Sequence, residues 1–324
     1  MGVPPQPTGH YPLDLNRVFE LTFSLFRFNW RTFLAMTLVI MVPVSLIMAV
    51  SAIYTSSAAT DWITRAQQLA ESGQIDMSTF PWAVFLVSLV IGVLGGIGAW
   101  LAQAAVTHAA LKTYGGATID TGSSVRYALG RLGTLAGAYM LMFLVAVAII
   151  FIGVFAAALL ILTSASGGRI VPGIGVFFGL IIVVASFAAL IFISVRWALV
   201  VPAIVDGGAG ARQALGRSWR LVSGSSWRVL GYMLAFGLLF GLIAALLTLV
   251  LTLVVDPGSL SDPTLTRPID PVRVMIINFG AGLFSAMLMP FPAIGVTLLY
   301  LDLRWRRGEP VPQPGQAVPT PPAG

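Results

Sequence analysis

Six long stretches almost free of charge dominate the sequence: Thr32–Ser56, Trp82–Leu111, Leu132–Ser164, Ile174–Ile204, Val229–Val255 and Val274–Leu301. Only the fourth is interrupted by a charged residue, Arg196. Each meets or exceeds the roughly 20 residues that an α-helix needs to cross about 30 Å of hydrocarbon. None shows the alternation over about ten residues that marks a transmembrane β-strand. Composition points the same way, because 57% hydrophobic and 9% charged residues leave too little polar surface to cover a soluble domain of 324 residues. The expected fold is therefore all-α, a polytopic membrane helical bundle with six transmembrane helices.

Charge orients the bundle. Of the 18 basic residues, Arg65, Arg169, Arg267 and Arg273 fall on one side of the inferred membrane and the other 14 on the opposite side. Cytoplasmic loops carry the Lys/Arg excess, so both termini are expected in the cytoplasm. The same distribution explains the net charge of +6 without nucleic acid, since a basic residue near anionic headgroups contributes about 1 kcal/mol of attraction. The chain has no cysteine, which removes disulfides, thiolate metal ligands and cysteine nucleophiles. Residues 1–12 and 308–324 are rich in proline and are expected to be disordered tails flanking a membrane domain at 13–307. The opening MGVPPQPTGHYP lacks the basic region and short apolar run of a cleaved signal, so the first span is expected to act as its own insertion signal.

Short amphipathic segments precede the spans. In 211–222, Ala211, Ala214, Leu215, Trp219 and Val222 share one helical face, with Arg212, Arg217 and Arg220 on the other. Such a helix is expected either to lie in the headgroup region or to pack under the bundle as a connector, since both uses need the same apolar face. Arg212, Arg217 and Arg220, with Arg228 at the mouth of the next span, are the candidate residues for binding anionic lipid headgroups or a membrane-protein partner. From Leu13 to Phe28, Asn16, Arg17, Glu20, Ser24 and Arg27 form a narrow polar stripe among Leu15, Val18, Phe19, Phe23 and Phe26. That pattern predicts a further interfacial helix ending near Asn29. Residues 120–131 carry another, with Val125, Ala128, Leu129 and Leu132 on one face.

Internal similarity links these segments. Ala128-Leu129-Gly130-Arg131 recurs as Ala214-Leu215-Gly216-Arg217, and Tyr139-Met140-Leu141 as Tyr232-Met233-Leu234. The pattern predicts three parallel repeats of interfacial helix plus transmembrane hairpin, at 13–116, 117–205 and 206–307. Pro43 in the first span should kink it, and Pro290 and Pro292 mark the last as broken. Gly92, Gly95, Gly96 and Gly98 in the second span should admit a close neighbour. Outer connections are expected at 58–81, 165–173 and 256–271.

Polar groups within apolar spans are the remaining candidates. Gln103, Thr107 and His108 lie near the inner end of the second span, where their simplest use is hydrogen bonding between helices. Arg196 lies about two turns inside Pro202 and Asp206, at a depth where a bare guanidinium costs at least about 2.5 kcal/mol. Its expected partner is Asp302, in a structural ion pair joining the second repeat to the third. Gly-x-Ser-x-Gly, His-Glu-x-x-His and Gly-x4-Gly-Lys-Ser/Thr motifs are all absent, and no span holds two carboxylates for acid/base work. Asp256, Asp262 and Asp270 could gather a cation outside, but no metal or other cofactor is expected.

Two stretches carry a family resemblance: Arg196-Trp197 through Pro202 and Asp206 into ALGRSWRLVSGSSWRVLG, and Pro290-Phe291 followed by VTLLYLDLRWRRGE. With the opening LDLNRVFELTFSLFRFNWRTFL, the chain resembles the bacterial glycerophosphoryl diester phosphodiesterase membrane domain family. In some members that domain is fused to a catalytic phosphodiesterase domain, which is not among these 324 residues, so the resemblance implies the membrane fold rather than hydrolysis. It also implies a bacterial cytoplasmic membrane. The expected function is a non-enzymatic scaffold or accessory component. The alternative is a small-molecule or lipid transporter with proline-broken helices.

Overall fold

The structure, a computed structural model, describes residues 12–71, 81–165, 172–258 and 270–311. The expected tails and outer connections fall largely outside these residues, as do Arg169, Asp262 and Arg267. Among the described residues there are ten helices in chain order: α1 (Leu15–Glu71), α2 (Trp82–Tyr114), α3 (Thr121–Gly130), α4 (Leu132–Ala165), α5 (Pro172–Arg196), α6 (Val200–Gly207), α7 (Ala211–Val222), α8 (Ser226–Val255), α9 (Pro271–Leu288) and α10 (Pro290–Arg306). Six stretches are long and apolar enough to cross a membrane: Leu15–Ala58, Trp82–Tyr114, Leu132–Thr163, Ile174–Gly207, Ser226–Val255 and Pro271–Arg306. This is a multi-pass helical membrane protein.

The long helices pack as three hairpins, α1 with α2, α4 with α5, and α8 with α9. A short helical segment leads into each: residues 15–28 of α1, then α3, then α7. Local chemistry starts them. Asp120 caps α3 by accepting the Ser123 N–H at 2.8 Å. Gln213 accepts the Gly210 N–H at 3.4 Å at the start of α7. α1 also runs against α9, which brings the third hairpin onto the first.

Three breaks shape the molecule. α1 leaves helical geometry at Asn29 (φ −127°, ψ 27°), where the polar stripe ends, whereas the expected kink residue Pro43 lies within the helix. Pro202 has no N–H for the Ala198 carbonyl, and the fourth span breaks at residues 197–199 before restarting as α6. Pro290 and Pro292 likewise cannot donate to Ala286 and Leu288, so the sixth span ends at Leu288 and restarts as α10. The segments beyond the breaks are not lipid-facing. Val200–Val205 and most of α10, including Leu298, Leu299, Tyr300, Leu301 and Leu303, are buried in protein. The apolar face of residues 15–28 also docks on the bundle rather than on lipid alone. Phe19 stacks on Phe236 at 4.3 Å, and Phe26 meets Phe291 at 4.3 Å.

The core therefore sits at the end where residues 15–28, α3, α6, α7 and α10 gather with the inner part of α2. Away from it, Phe151, Phe155, Phe177, Phe187, Leu238 and Leu246 stay exposed, as residues facing acyl chains should. The glycines of α2 do not act as one stripe. The space beside Gly98 is filled by Val44 of α1 and that beside Gly96 by the Tyr139 ring of α4, while Gly92 faces open space. Backbone itself comes close at Gly282 of α9, where an added Cβ would lie 2.7 Å from Ser45 Cβ and 3.5 Å from Ser45 Cα. Gly282→Leu should destabilise the α1–α9 contact by about 1–3 kcal/mol, measured as a lower thermal midpoint in detergent, whereas Gly92→Leu should leave the midpoint unchanged.

Candidate functional site

The arginine-bearing end is built around two buried or half-buried carboxylates on facing elements. Asp302 is fully buried on α10. It accepts the Leu13 N–H at 2.8 Å, Arg306 Nε at 2.9 Å and Arg228 Nη2 at 3.3 Å. Arg228 also donates to the Leu13 carbonyl. One carboxylate thus joins the start of α1, the start of α8 and the end of α10. A charge so placed is tolerable because three charge-assisted or backbone donors replace its water.

Asp206, at the end of α6, accepts the Tyr300 hydroxyl at 2.9 Å and Arg304 Nη1 at 2.7 Å. Arg304 extends the network to Glu309 Oε2 at 3.0 Å and the Pro310 carbonyl at 2.6 Å. Arg217 of α7 reaches the same Glu309 oxygen at 3.0 Å. Arg217 and Arg304 both lie over the Tyr300 ring, 5.7 and 5.6 Å from its centroid. Burial alone would raise the Glu309 pKa, but hydrogen bonds from Arg217 and Arg304 outweigh it and hold the carboxyl below its ordinary value. The turn after α6 needs its two glycines: Gly208 is left-handed (φ +60°), and a Cβ on Gly207 would collide with the Arg217 guanidinium. Arg131 donates to the Gly208 carbonyl at 3.2 Å and sits over Tyr127, whose hydroxyl donates to the Val205 carbonyl at 2.6 Å.

The expected Arg196–Asp302 pair is not made. Arg196 sits between the rings of Phe192 and Trp219, at 5.0 and 5.1 Å, and donates to Ser223 Oγ. Arg228 takes the place at Asp302 because helix α8 begins beside Leu13, whereas the break after Arg196 turns that side chain toward α7. Periodicity could not foresee this, since it depended on where the fourth span breaks. Of the four arginines expected to face headgroups, Arg217 and Arg228 are committed to Glu309 and Asp302. Arg212 and Arg220 are exposed and make no ion pair among the described residues.

The intramembrane polar residues divide between neighbours. Thr297 of α10 donates to Thr107 at 3.2 Å, whereas His108 stacks on Tyr127 of α3 at 4.1 Å with Nδ1 3.4 Å from Ser124 Oγ. Gln103 joins neither contact. Among the described residues no three His, Asp or Glu side chains could hold a metal ion. At the opposite end Arg273 binds both Asp256 at 2.9 Å and Asp270 at 3.2 Å, and so engages two of the three acids considered for a cation.

Two apolar cavities flank the break in the fourth span. One, about 240 Å³, is lined by Trp100, Tyr139, Phe143, Ile193 and Trp197 among others. The second, about 200 Å³, is lined by Ala198, Tyr232, Phe236, Pro292 and Gly295 among others. Tyr139 and Ser194 bring hydroxyl groups to the first cavity and Tyr232 brings one to the second.

Residues 174–307 match the family described as the membrane domain of glycerophosphoryl diester phosphodiesterase. The match runs from within α5 through α10 and includes Asp206, Arg217, Arg228, Asp302 and Arg304, whereas Leu13 and Glu309 lie outside it, and it concerns the membrane domain, not a catalytic one. No curated protein matches the chain, and no solved structure does.

Asp302→Asn should lower stability by about 3–5 kcal/mol, because it strands two guanidinium groups beside a buried site. In a double-mutant cycle with Arg228→Met the two losses should be clearly less than additive in thermal unfolding. Additive losses would mean that the pair is not coupled. Glu309 has a depressed pKa, so its contribution is present above the ordinary value of 4.5 and lost as pH falls below it. Protection of the Glu309 amide, which donates to the Arg304 carbonyl, should fall below about pH 4.5 when exchange is taken relative to the intrinsic rate at each pH, and Glu309→Gln should remove that dependence.

Proposed function

We propose that this chain is a non-enzymatic scaffold or accessory component of a bacterial cytoplasmic membrane, with both termini cytoplasmic and its arginine-bearing end held against anionic headgroups. The observation that carries the reading is the division of labour among the arginines. Acids at this end are largely consumed internally: Asp302, Asp206 and Glu309 in the networks, Glu20 by Arg17 at 3.0 Å, and Asp120 as a helix cap. Arg27, Arg31, Arg126, Arg212 and Arg220 remain exposed, and they sit on or beside the three lead-in helices. A surface whose acids, apart from Asp14, are mostly paired or used as caps, and whose outer guanidiniums make no ion pair among the described residues, suits a negatively charged plane. Trp219 and Trp227 are exposed beside them, as interfacial anchors are.

The threefold repeat belongs to the same proposal. Its support is the common order of lead-in helix and hairpin, together with the recurring tripeptide: Tyr139 lines one cavity and Tyr232 the other. Arg131 and Arg217, the matching arginines, both reach the Gly207–Gly208 turn. A second reading, transport of a small molecule or lipid, draws on the broken fourth and sixth spans, whose Ala198 and Pro292 line one cavity. A transporter should move labelled lipid or solute across proteoliposomes, and a scaffold should not.

The scaffold reading is tested by lipid preference. The purified chain should co-purify enriched in anionic over zwitterionic phospholipid, and Arg212→Gln with Arg220→Gln should reduce that enrichment by up to about 1 kcal/mol per residue. Raised salt should weaken it further. An unchanged lipid profile in the double variant would remove the basis of the proposal.

A further inference from the structure

Ser223, the residue that ends α7, holds two guanidinium groups at once. Arg196 Nη1 donates to its hydroxyl and Arg307 Nη2 to its carbonyl, while the hydroxyl donates to the Trp219 carbonyl at 2.8 Å. Neither arginine has a carboxylate within ion-pair distance among the described residues, although Asp302 and Glu309 lie close to Arg307 in sequence. Those acids are taken by Arg228, Arg306, Arg217 and Arg304. Asp14, which has no ion pair, follows Leu13 at the Arg228–Asp302 junction. Two like charges converging on a neutral residue repel each other unless an anion joins them. The Arg196 Nε–H is also buried without an acceptor, a donor whose pairing the protein does not supply.

We propose that Arg196 and Arg307, gathered by Ser223, form a phosphate-binding site, and that the phosphate belongs to an anionic phospholipid. This rests on the reading that the arginine-bearing end faces a membrane, and it names one built site on that face. Guanidinium forks match the oxygens of a phosphate, and two of them provide the charge for a headgroup with net negative charge. An ammonium or choline group would meet the same two positive charges and be disfavoured. The lipid source is favoured by what stands beside the site. Phe192 and Trp219, which flank Arg196, are 49% and 38% exposed. Their rings offer an apolar surface to an acyl chain just where the charge ends.

The test uses the full chain in detergent, with bound lipid counted by native mass spectrometry during titration. Phosphatidylglycerol should occupy one site that phosphatidylcholine does not compete for. Arg196→Gln with Arg307→Gln should weaken that occupancy about tenfold or more, since each lost arginine removes a charge-assisted hydrogen bond. Arg196→Lys should fall between, keeping charge but losing the fork. The Arg212→Gln, Arg220→Gln variant should keep this single tight site while losing the general anionic enrichment, so the two proposals fail separately. Inorganic phosphate binding as strongly as phosphatidylglycerol would support the phosphate chemistry and assign it to a soluble source. Equal occupancy in native chain and in the Arg196→Gln, Arg307→Gln variant, with unfolding midpoints also equal, would overturn the site.

Discussion

The carboxylate of Asp302 is the constraint on which the arginine-bearing end depends. It lies fully buried, yet it bonds the first described helix through Leu13, the fifth span through Arg228 and its own helix through Arg306. A buried charge of this kind adds little net stability over an apolar replacement, but it penalises every arrangement that leaves it unpaired. Its role is specificity. It admits one way of bringing the start of the chain, the start of α8 and the end of α10 together, and α10 then becomes the spine against which α1, α2, α6, α7 and α8 pack.

From that spine the rest follows in two layers. Apolar helices leave it toward the opposite face, and their outer surfaces carry phenylalanine and leucine with no protein neighbour, as a lipid solvent permits. The layer at the other face consists of short or broken helices, whose free backbone groups and charges need partners from protein or headgroups. Asp206, Tyr300, Arg304, Glu309 and Arg217 meet that need internally. Arg212, Arg220, Arg196 and Arg307 do not find acids, and this asymmetry is the physical ground for reading the face as one that meets anions.

Much of this architecture was legible from residues alone. Long uncharged runs mark six spans because hydrocarbon tolerates nothing else at that length. The amphipathic pattern at 211–222 identifies α7, with Ala214 and Val222 buried and Arg212 and Arg220 exposed. Breaks were less legible. Proline positions suggested some of them, yet Pro43 is carried within α1, whereas the departure at Asn29 falls where the polar stripe of residues 16–27 ends. The pairing of charges was least legible. Arg196 was matched to Asp302 by depth along the helices, but side-chain partners depend on the direction a helix takes after its break. Arg228 lies beside Asp302 where the start of α8 meets the end of α10, with Leu13 bonded to both side chains. Equally, nothing in the spacing of Ser223 and Arg307 announced that they meet.

The account stands on one face of the membrane receiving the lead-in helices and their arginines. The absence of native cysteine allows a direct measurement with single-cysteine variants and an impermeant maleimide on sealed cells. Gln213→Cys on exposed α7 should be labelled only after the membrane is opened, whereas Val272→Cys at the far end should be labelled in intact cells. Labelling of Gln213→Cys from outside, with Val272→Cys protected, would contradict the account.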